Sequence, residues 1–309
     1  MTVTGKRSTD KPDFVMDIEG ILFLAAGYGT RMEPLSLLRP KALLPFGNTT
    51  VLGELVRQIY ALHPRRVRIN ASRCPETILN ELISAWPIEI CSVYFEERPL
   101  GVCATLARHA DSMMEGTWMI VNTDMIIDGF DAVKMLKIHR ETKSSWTVLT
   151  GCLPSDGSYS PLLIDENGCF GSGRGEPVHY WGISLVEPEI PLLSRRSQSS
   201  GLFSELAPAA YDNGYKLLAW SIDGNWMDMG RIDTVRENIL AGGSFIHPAA
   251  CVSSDVVLEG NWNIGPGCIL AGGTVLRNSV MLEGSTLESG SLDEGILPWF
   301  CSSRDGNIE

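Results

Sequence analysis

The segment from Gly20 to Gly47, GILFLAAGYGTRMEPLSLLRPKALLPFG, limits what the rest of the chain can build. Its apolar run Ile21–Ala26 is too short for a helix and reads as a buried strand. The strand breaks into Gly27-Tyr28-Gly29, where two glycines permit positive φ and let backbone N–H groups converge on one point. Arg31 and Lys41 follow, and Pro34, Pro40 and Pro45 predict an extended rather than helical path. Between Ile21 and Thr50 stand Arg31, Arg39 and Lys41 against Glu33 alone, in a chain whose net charge is −12. A strand, a glycine turn and local cations together predict a triphosphate cradle.

Two common phosphate motifs do not fit. A Walker A loop needs Gly-Lys-Ser/Thr, and here Gly29 precedes Thr30-Arg31. A dinucleotide fingerprint needs Gly or Ala where this chain has Met32, which argues against a nicotinamide-dependent dehydrogenase. The segment instead resembles the signature of the sugar-nucleotide pyrophosphorylases, roughly LAAGxGTRxxPLTxxxPKxLxP. It matches at Leu24-Ala25-Ala26-Gly27, Gly29-Thr30-Arg31, Pro34-Leu35, Pro40-Lys41 and Pro45, with Ser36 in the usual Thr position.

Composition narrows the class further. At 309 residues, 44% hydrophobic and 20% charged, the chain can hold one large α/β domain and a small appendage. The acidic balance argues against nucleic-acid or membrane partners, both of which reward a basic face. Eight scattered cysteines without CxxC spacing read as reduced core residues of a cytoplasmic protein, not a disulfide or zinc framework. The basic N-terminus lacks the apolar stretch of a signal peptide, and no run reaches the ~20 residues of a membrane span. Residues 1–17, above all Met1 to about Pro12, read as a polar tail.

Periodicity then alternates. Val51, Leu52, Leu55, Val56 and Ile59 repeat as a helix, Arg66–Asn70 as a strand, and Pro75 opens a helix carrying Ile78, Leu79, Leu82 and Ile83. Ile88–Tyr94 reads as a third strand, Cys103–Met114 as a helix, and Trp118–Val121 as a fourth strand. This alternation predicts a doubly wound, mostly parallel, Rossmann-like α/β sheet over 18–242. Ligands bind beyond the carboxyl ends of such strands, where Gly27–Arg31, Leu100–Gly101 and Asp124 all fall. Further short strands are expected at Trp146–Cys152, His179–Val186 and Lys216–Ser221, a solvated loop at Leu193–Gly201 with Arg195 and Arg196, and a helix at Ile232–Leu240.

The tail changes period. Ile246, Val252, Leu258, Ile264, Leu270, Leu276 and Leu282 recur every six residues, which predicts a short left-handed β-helix over 243–298, failing at Glu288, with a C-terminal tail at 299–309. So short a solenoid must pack on the main domain or on another subunit, and it offers a surface for homo-oligomers. His247 alone at its start does not make an acyltransferase.

The resemblance continues in order along the chain. Pro99-Leu100-Gly101 resembles the family's base-reading PLGTAGA loop, Val121-Asn122-Thr123-Asp124 its VxNGD strand end, Gly182-Ile183 its NAGIY, and Trp226-Met227-Asp228-Met229-Gly230 its WxDxG. It implies nucleotidyl transfer from an NTP to a sugar 1-phosphate with release of pyrophosphate. It implies Arg31 and Lys41 as catalytic cations, and Asp124 and Asp228 sharing Mg²⁺. Leu24, Ala25, Ala26, Gly27, Gly29, Thr30, Leu100, Gly101 and Asn122 would bind the nucleotide, and Gly182 the sugar. Three departures stand out: Val102-Cys103-Ala104 after Leu-Gly, Thr123 in place of a small residue, and no Glu-Lys-Pro between Gly168 and Gly182, with Arg174 the substitute to check. The missing Glu-Lys-Pro resembles the N-acetylmuramate-1-phosphate uridylyltransferase branch, with mannose-1-phosphate guanylyltransferases close by. The departures also keep open a non-catalytic relative that binds a sugar nucleotide and regulates a partner.

Overall fold

A computed structural model describes residues 16–196, 201–304 and 307–308. The greater part of the expected N-terminal tail, residues 197–200 of the expected Leu193–Gly201 loop, and residues 305, 306 and 309 of the expected C-terminal tail lie outside the described residues.

The chain builds one mixed sheet from β1 (Asp17–Ala25), β2 (His63–Ala71), β3 (Cys91–Phe95), β4 (Trp118–Asn122), β6 (Trp146–Gly151), β7 (Glu176–Val186) and β8 (Leu217–Ser221). The order is β8-β6-β7-β4-β1-β2-β3, with Leu162–Ile164 paired to one end of β7. β3, β2, β1 and β4 run parallel, as do β6 and β8; β7 is antiparallel to both its neighbours. Between β4 and β6 lies β5 (Met125–Ile127), which pairs with β9 (Trp226–Asp228) outside the main sheet.

Alternation along β1 explains why both faces are covered. Ile21, Phe23 and Ala25 enter the core shared with α1 (Val51–Ile59), α2 (Pro75–Ile83) and α4 (Ala132–Thr142), whereas Leu22 enters the opposite core with Leu106 of α3 (Val102–His109). α1 begins where Thr50 Oγ1 accepts the Gly53 N–H at 3.0 Å, and α4 where Asp131 Oδ1 accepts the Lys134 N–H at 2.9 Å.

Several expectations shift. The signature loop is not extended: Thr30–Met32 and Lys41–Leu43 are 3₁₀ turns, with Pro40 preceding the second in extended backbone. Proline fixes φ at a value that a 3₁₀ turn also tolerates at its start. Ile88–Ile90 is likewise a 3₁₀ turn, so the third strand starts at Cys91. The helix expected to reach Met114 tightens into 3₁₀ geometry at Ala110–Met113. α4 was not anticipated, although Ala132, Met135, Leu136 and His139 form its buried face at helical spacing. The helix expected at Ile232–Leu240 is α5 (Val235–Ala241). All eight cysteines are free, but only Cys103 and Cys268 are buried, and Cys152 and Cys251 are exposed.

Beyond α5, stacked parallel sheets agree with the coiled architecture that period six predicts. Phe245 pairs with Asn263, Cys251 with Ile269 and Val257 with Val275, each partner three hexads on. The break at Glu288 is a register slip rather than an end. Leu270 pairs with Leu287 and Met281 with Leu297, partners one or two residues short of three hexads, and Leu287 and Leu297 remain fully buried. The coil packs on the α/β domain: Val280, Leu282 and Trp299 join its main core. Trp299 Nε1 donates to Leu35 O at 2.8 Å, Asn263 Nδ2 donates to Gly47 O at 2.8 Å, and Arg39 pairs with Glu283 at 2.6 Å. The coil thereby braces the back of the loop that carries Lys41. No helix among the described residues is long and apolar enough to cross a membrane.

Candidate active site

Register brings four strand ends level. Ala25 is paired with Ala71, Ala71 with Phe95, and Leu24 with Asn122. The chain leaves β1 toward β2 and β3 on one side and returns to β4 on the other, which opens a crevice between neighbouring strands at their carboxyl ends. A cleft of about 220 Å³ lies there. Of the residues read from the sequence, Leu24, Ala25, Ala26, Gly27, Lys41, Gly101, Asn122 and Asp124 line it.

Asp124 follows β4, and Asp228 ends β9. The antiparallel register sets Asp228 opposite Met125, and the Met229 N–H donates to Asp124 O at 2.9 Å, so the two acids meet across a two-stranded ladder. Lys41 Nζ lies 3.3 Å from Asp124 Oδ2. Gly230 sits among all three: a β-carbon there would come 2.8 Å from Lys41 Nζ, 2.9 Å from Asp228 Oδ1 and 3.3 Å from Asp124 Oδ2. Glycine is required because any side chain would occupy the space the charges share. Asp228 Oδ1 accepts the Gly230 N–H at 2.7 Å, and Oδ2 accepts the Tyr159 hydroxyl. Burial, then the Asp228 carboxylate, push the Tyr159 hydroxyl up to about 12, so it remains a donor at neutral pH.

The remaining sequence candidates lie around this centre. Gly29 adopts φ 68°, and a β-carbon there would come 3.3 Å from Lys41 Cε, so its turn abuts the lysine. Thr30 and Arg31 continue that turn outside the cleft wall; Arg31 is exposed, with no hydrogen bond or ion pair to the described residues. Leu100 is exposed, but its N–H donates to Glu96 Oε2 at 3.1 Å. Gly182 adopts φ 85° within an irregularity of β7, where a β-carbon would come 3.1 Å from Asn122 Cβ. Arg174 is an exposed turn residue away from the cleft wall.

Sequence reasoning missed the network beneath the end of β1. Asn70 Oδ1 accepts from the Ala25 and Ala26 N–H groups at 2.7 and 3.2 Å, and its Nδ2 donates to Glu96 Oε1 at 3.1 Å. Thr105 Oγ1 donates to the same oxygen at 3.2 Å. All three side chains are buried and line the cleft. The available signal was positional: Asn70 and Glu96 both stand at strand ends. Two departures also turn inward. Cys103 is buried in the second core, and Thr123 Oγ1 donates to Leu24 O at 2.8 Å.

Asp124 and Asp228 supply hard oxygen donors of the kind magnesium takes one or two at a time, completing its shell with phosphate and water. They fit such an ion, and among the described residues no group of three protein ligands forms a closed metal cage.

A glycine loop, a lysine and two carboxylates thus gather beyond a mostly parallel sheet in an α/β domain. The nucleotidyl transferase family model matches residues 20–158, and along most of its length the chain is similar to sugar-nucleotide pyrophosphorylases. It is 23% identical to a UTP–glucose-1-phosphate uridylyltransferase of Synechocystis sp., over 92% of this chain and 89% of that protein. It is 25% identical to the mannose-1-phosphate guanylyltransferase of Mycobacterium tuberculosis, over 88% of this chain and 82% of that protein. Similarity to the mannose-1-phosphate guanylyltransferase catalytic subunit beta of Drosophila pseudoobscura pseudoobscura is 27% over 68% of this chain, but spans 58% of that protein.

Proposed function

We propose that this chain transfers a nucleotidyl group from an NTP to a sugar 1-phosphate, giving an NDP-sugar and pyrophosphate. The convergence of Lys41, Asp124 and Asp228 around Gly230, at the edge of the cleft, carries this reading. The base and ribose would lie over Leu24–Gly27, Gly101 and Asn122, with Leu100 at the rim, and the sugar near Gly182. A sugar 1-phosphate has a second pKa near ~6, so its attacking oxygen is already ionised at neutral pH and needs no general base. The demand on the protein is to bring two anions together and hold charge as it moves to the leaving pyrophosphate. Lys41 would neutralise the α-phosphate and the incoming phosphate. Arg31, unpaired and exposed on the turn beside it, would fold over the leaving group, joined by the N–H groups of Gly27 and Gly29. Asp124 and Asp228 would hold Mg²⁺, which supplies charge neutralisation and orientation of phosphate oxygens when bound. In this reading residues 18–242 are the catalytic domain of a cytoplasmic enzyme, and 243–298 a short left-handed β-helix available for self-association.

The test is pyrophosphate release with Mg²⁺ across UTP, GTP, CTP, dTTP and ATP against hexose, hexosamine, N-acetylmuramate and heptose 1-phosphates. One active combination is expected. A grid with no turnover, accompanied by thermal stabilisation from a sugar nucleotide, would overturn catalysis and leave a binding subunit.

A further inference from the structure

A cavity of about 380 Å³ lies where the α/β domain meets the coil, behind the loop that carries Lys41, and the reaction described above does not use it. One wall is the hairpin in which Pro45 pairs with Thr50 and Phe46 with Thr49, which joins the 3₁₀ turn of Lys41 to α1. The coil supplies another through Phe245, His247 and Leu282. A β-carbon on Gly47 would come 2.6 Å from Gly242 O, so the tip of the hairpin is packed against the end of α5. A β-carbon on Gly53 would strike Thr49 Oγ1 and come 3.1 Å from Glu81 Oε2, so these two oxygens gather over α1. The charges of the lining do not balance. Arg39 is taken up by Glu283 at 2.6 Å and lies over the Trp299 and Phe300 rings, 5.5 and 5.6 Å from their centroids. Half-buried Glu81 has the Thr50 hydroxyl as a partner, but no cation within ion-pair distance among the described residues. Burial holds its carboxyl above the usual carboxylate range, with the Thr50 hydrogen bond pulling the other way. A carboxylate drawn out of water without a cation is a cost that packing alone does not repay.

We propose that this cavity binds a small organic amine, with its ammonium on Glu81 and its hydroxyl-bearing or aliphatic body against Phe245, and that the bound amine steadies the loop that carries Lys41. Such a site is independent of nucleotidyl transfer. An ammonium brings three donors, and the Thr49 and Thr77 hydroxyl oxygens line the same space as the Glu81 carboxylate. The face of an aromatic ring such as Phe245 suits a cation and its stem. A ligand hydroxyl would meet His247, whose Nδ1 accepts the Ala249 N–H at 3.1 Å and so leaves Nε2 to donate. A phosphate is the wrong partner here. The one arginine of the lining is already bound by Glu283, and Glu81 would repel a second anion. The path to the active site is short. Lys41 and Ala42 line the cleft, while Leu43 of the same 3₁₀ turn lines this cavity. A ligand that joins hairpin, α2 and coil therefore restrains the turn that holds Lys41.

The test titrates the full chain with glucosamine and with putrescine by calorimetry, with glucose as the uncharged control and amide hydrogen exchange over residues 39–50 as a second readout. At least one amine should bind with a Kd below about 1 mM, and glucose about tenfold or more weaker. Which amine binds tells a ring-borne ammonium from a chain-borne one. Glu81→Gln keeps the shape and removes the charge; it should weaken the amine about tenfold or more and leave pyrophosphate release unchanged. Bound amine should slow exchange across 39–50 about threefold or more. If neither amine binds, if glucose binds as tightly as the better amine, or if folded Glu81→Gln binds like wild type, the assignment is wrong. If Glu81→Gln does not fold, Thr77→Phe, which fills the cavity from the first turn of α2, decides: unchanged binding overturns the site. Amine binding with no slowing over 39–50 overturns the link to Lys41. A chain inactive across the whole grid that still binds the amine through Glu81 sinks the reaction reading alone, and an active chain that binds neither amine sinks this inference alone.

Discussion

Two regions near the site are built on opposite plans. At the ends of β1, β2 and β3, Asn70, Glu96 and Thr105 bond one another, the Ala25 and Ala26 N–H groups and the Leu100 N–H, so the polar groups of this wall are satisfied within the protein. Beside Asp228, His179 and Trp226 keep buried polar atoms unpaired against the Tyr159 ring. A satisfied wall is pre-organised and loses little entropy on binding, whereas an unsatisfied one gains its hydrogen bonds only when the right partner enters. Under the proposed reaction, the NTP would meet a finished surface.

Asp124 belongs to the finished side and Asp228 to the unfinished one, so removing either tests whether the halves work as a unit. Asp124→Ala should lower kcat by about 10³ while leaving the fold intact, on the scale of losing a preorganised electrostatic group. Pyrophosphate release assayed beside circular dichroism checks both statements. Near-normal turnover would take Asp124 out of the site and break the comparison at its junction.

The next effect is smaller and falls on stability as well as binding. Asn70→Ala strips the Ala25 and Ala26 N–H groups of their acceptor and leaves Glu96 without one of its donors, inside a wall that is almost dry. About 2–4 kcal/mol should be lost in urea unfolding, with KM for the NTP raised about tenfold and KM for the sugar 1-phosphate nearly unchanged. If both KM values rose together, the two sides would not be separable.

How far the sequence could be read follows the same division. β1, the glycine turn, Lys41 and Asp124 were legible because each depends on local chemistry: an apolar run, a positive φ, a charge at a strand end. Residues 20–158, the span that the family model matches, contain Asn70, Glu96, Thr105 and the cleft they line, while Tyr159, His179, Trp226 and Asp228 lie beyond it. Asp228 stands in a short motif visible in the sequence, but nothing local in the residues around His179 says that Trp226, well downstream, will pack edge-on against it. That contact needs the β5–β9 ladder and the irregular β7 to exist first. The coil's period six was plain until Glu288, where shorter coils continued the same buried column through Leu287, Leu292 and Leu297. A repeat rule of fixed length cannot see a slip that three-dimensional stacking absorbs. Asn70 and Glu96 were passed over for a different reason. Each reads as an ordinary polar residue at a strand end, and their value lies in partners from separate loops.

Thr123 offers the finest cut. Next to Asp124, where the family pattern has a small residue, its hydroxyl could face a ligand or the fold; it donates to Leu24 O at 2.8 Å and ties the end of β4 to the end of β1. Thr123→Val keeps the shape and removes only that donor. The expected result is a loss of about 1 kcal/mol, a fall in Tm of roughly 1–3 °C, and both KM values within about twofold of wild type. Thr123→Ser, which keeps the donor, should recover most of the loss. A large rise in KM for the NTP without any change in Tm would mean that the hydroxyl works on the substrate, and that the finished wall of the cleft ends one residue short of Asp124.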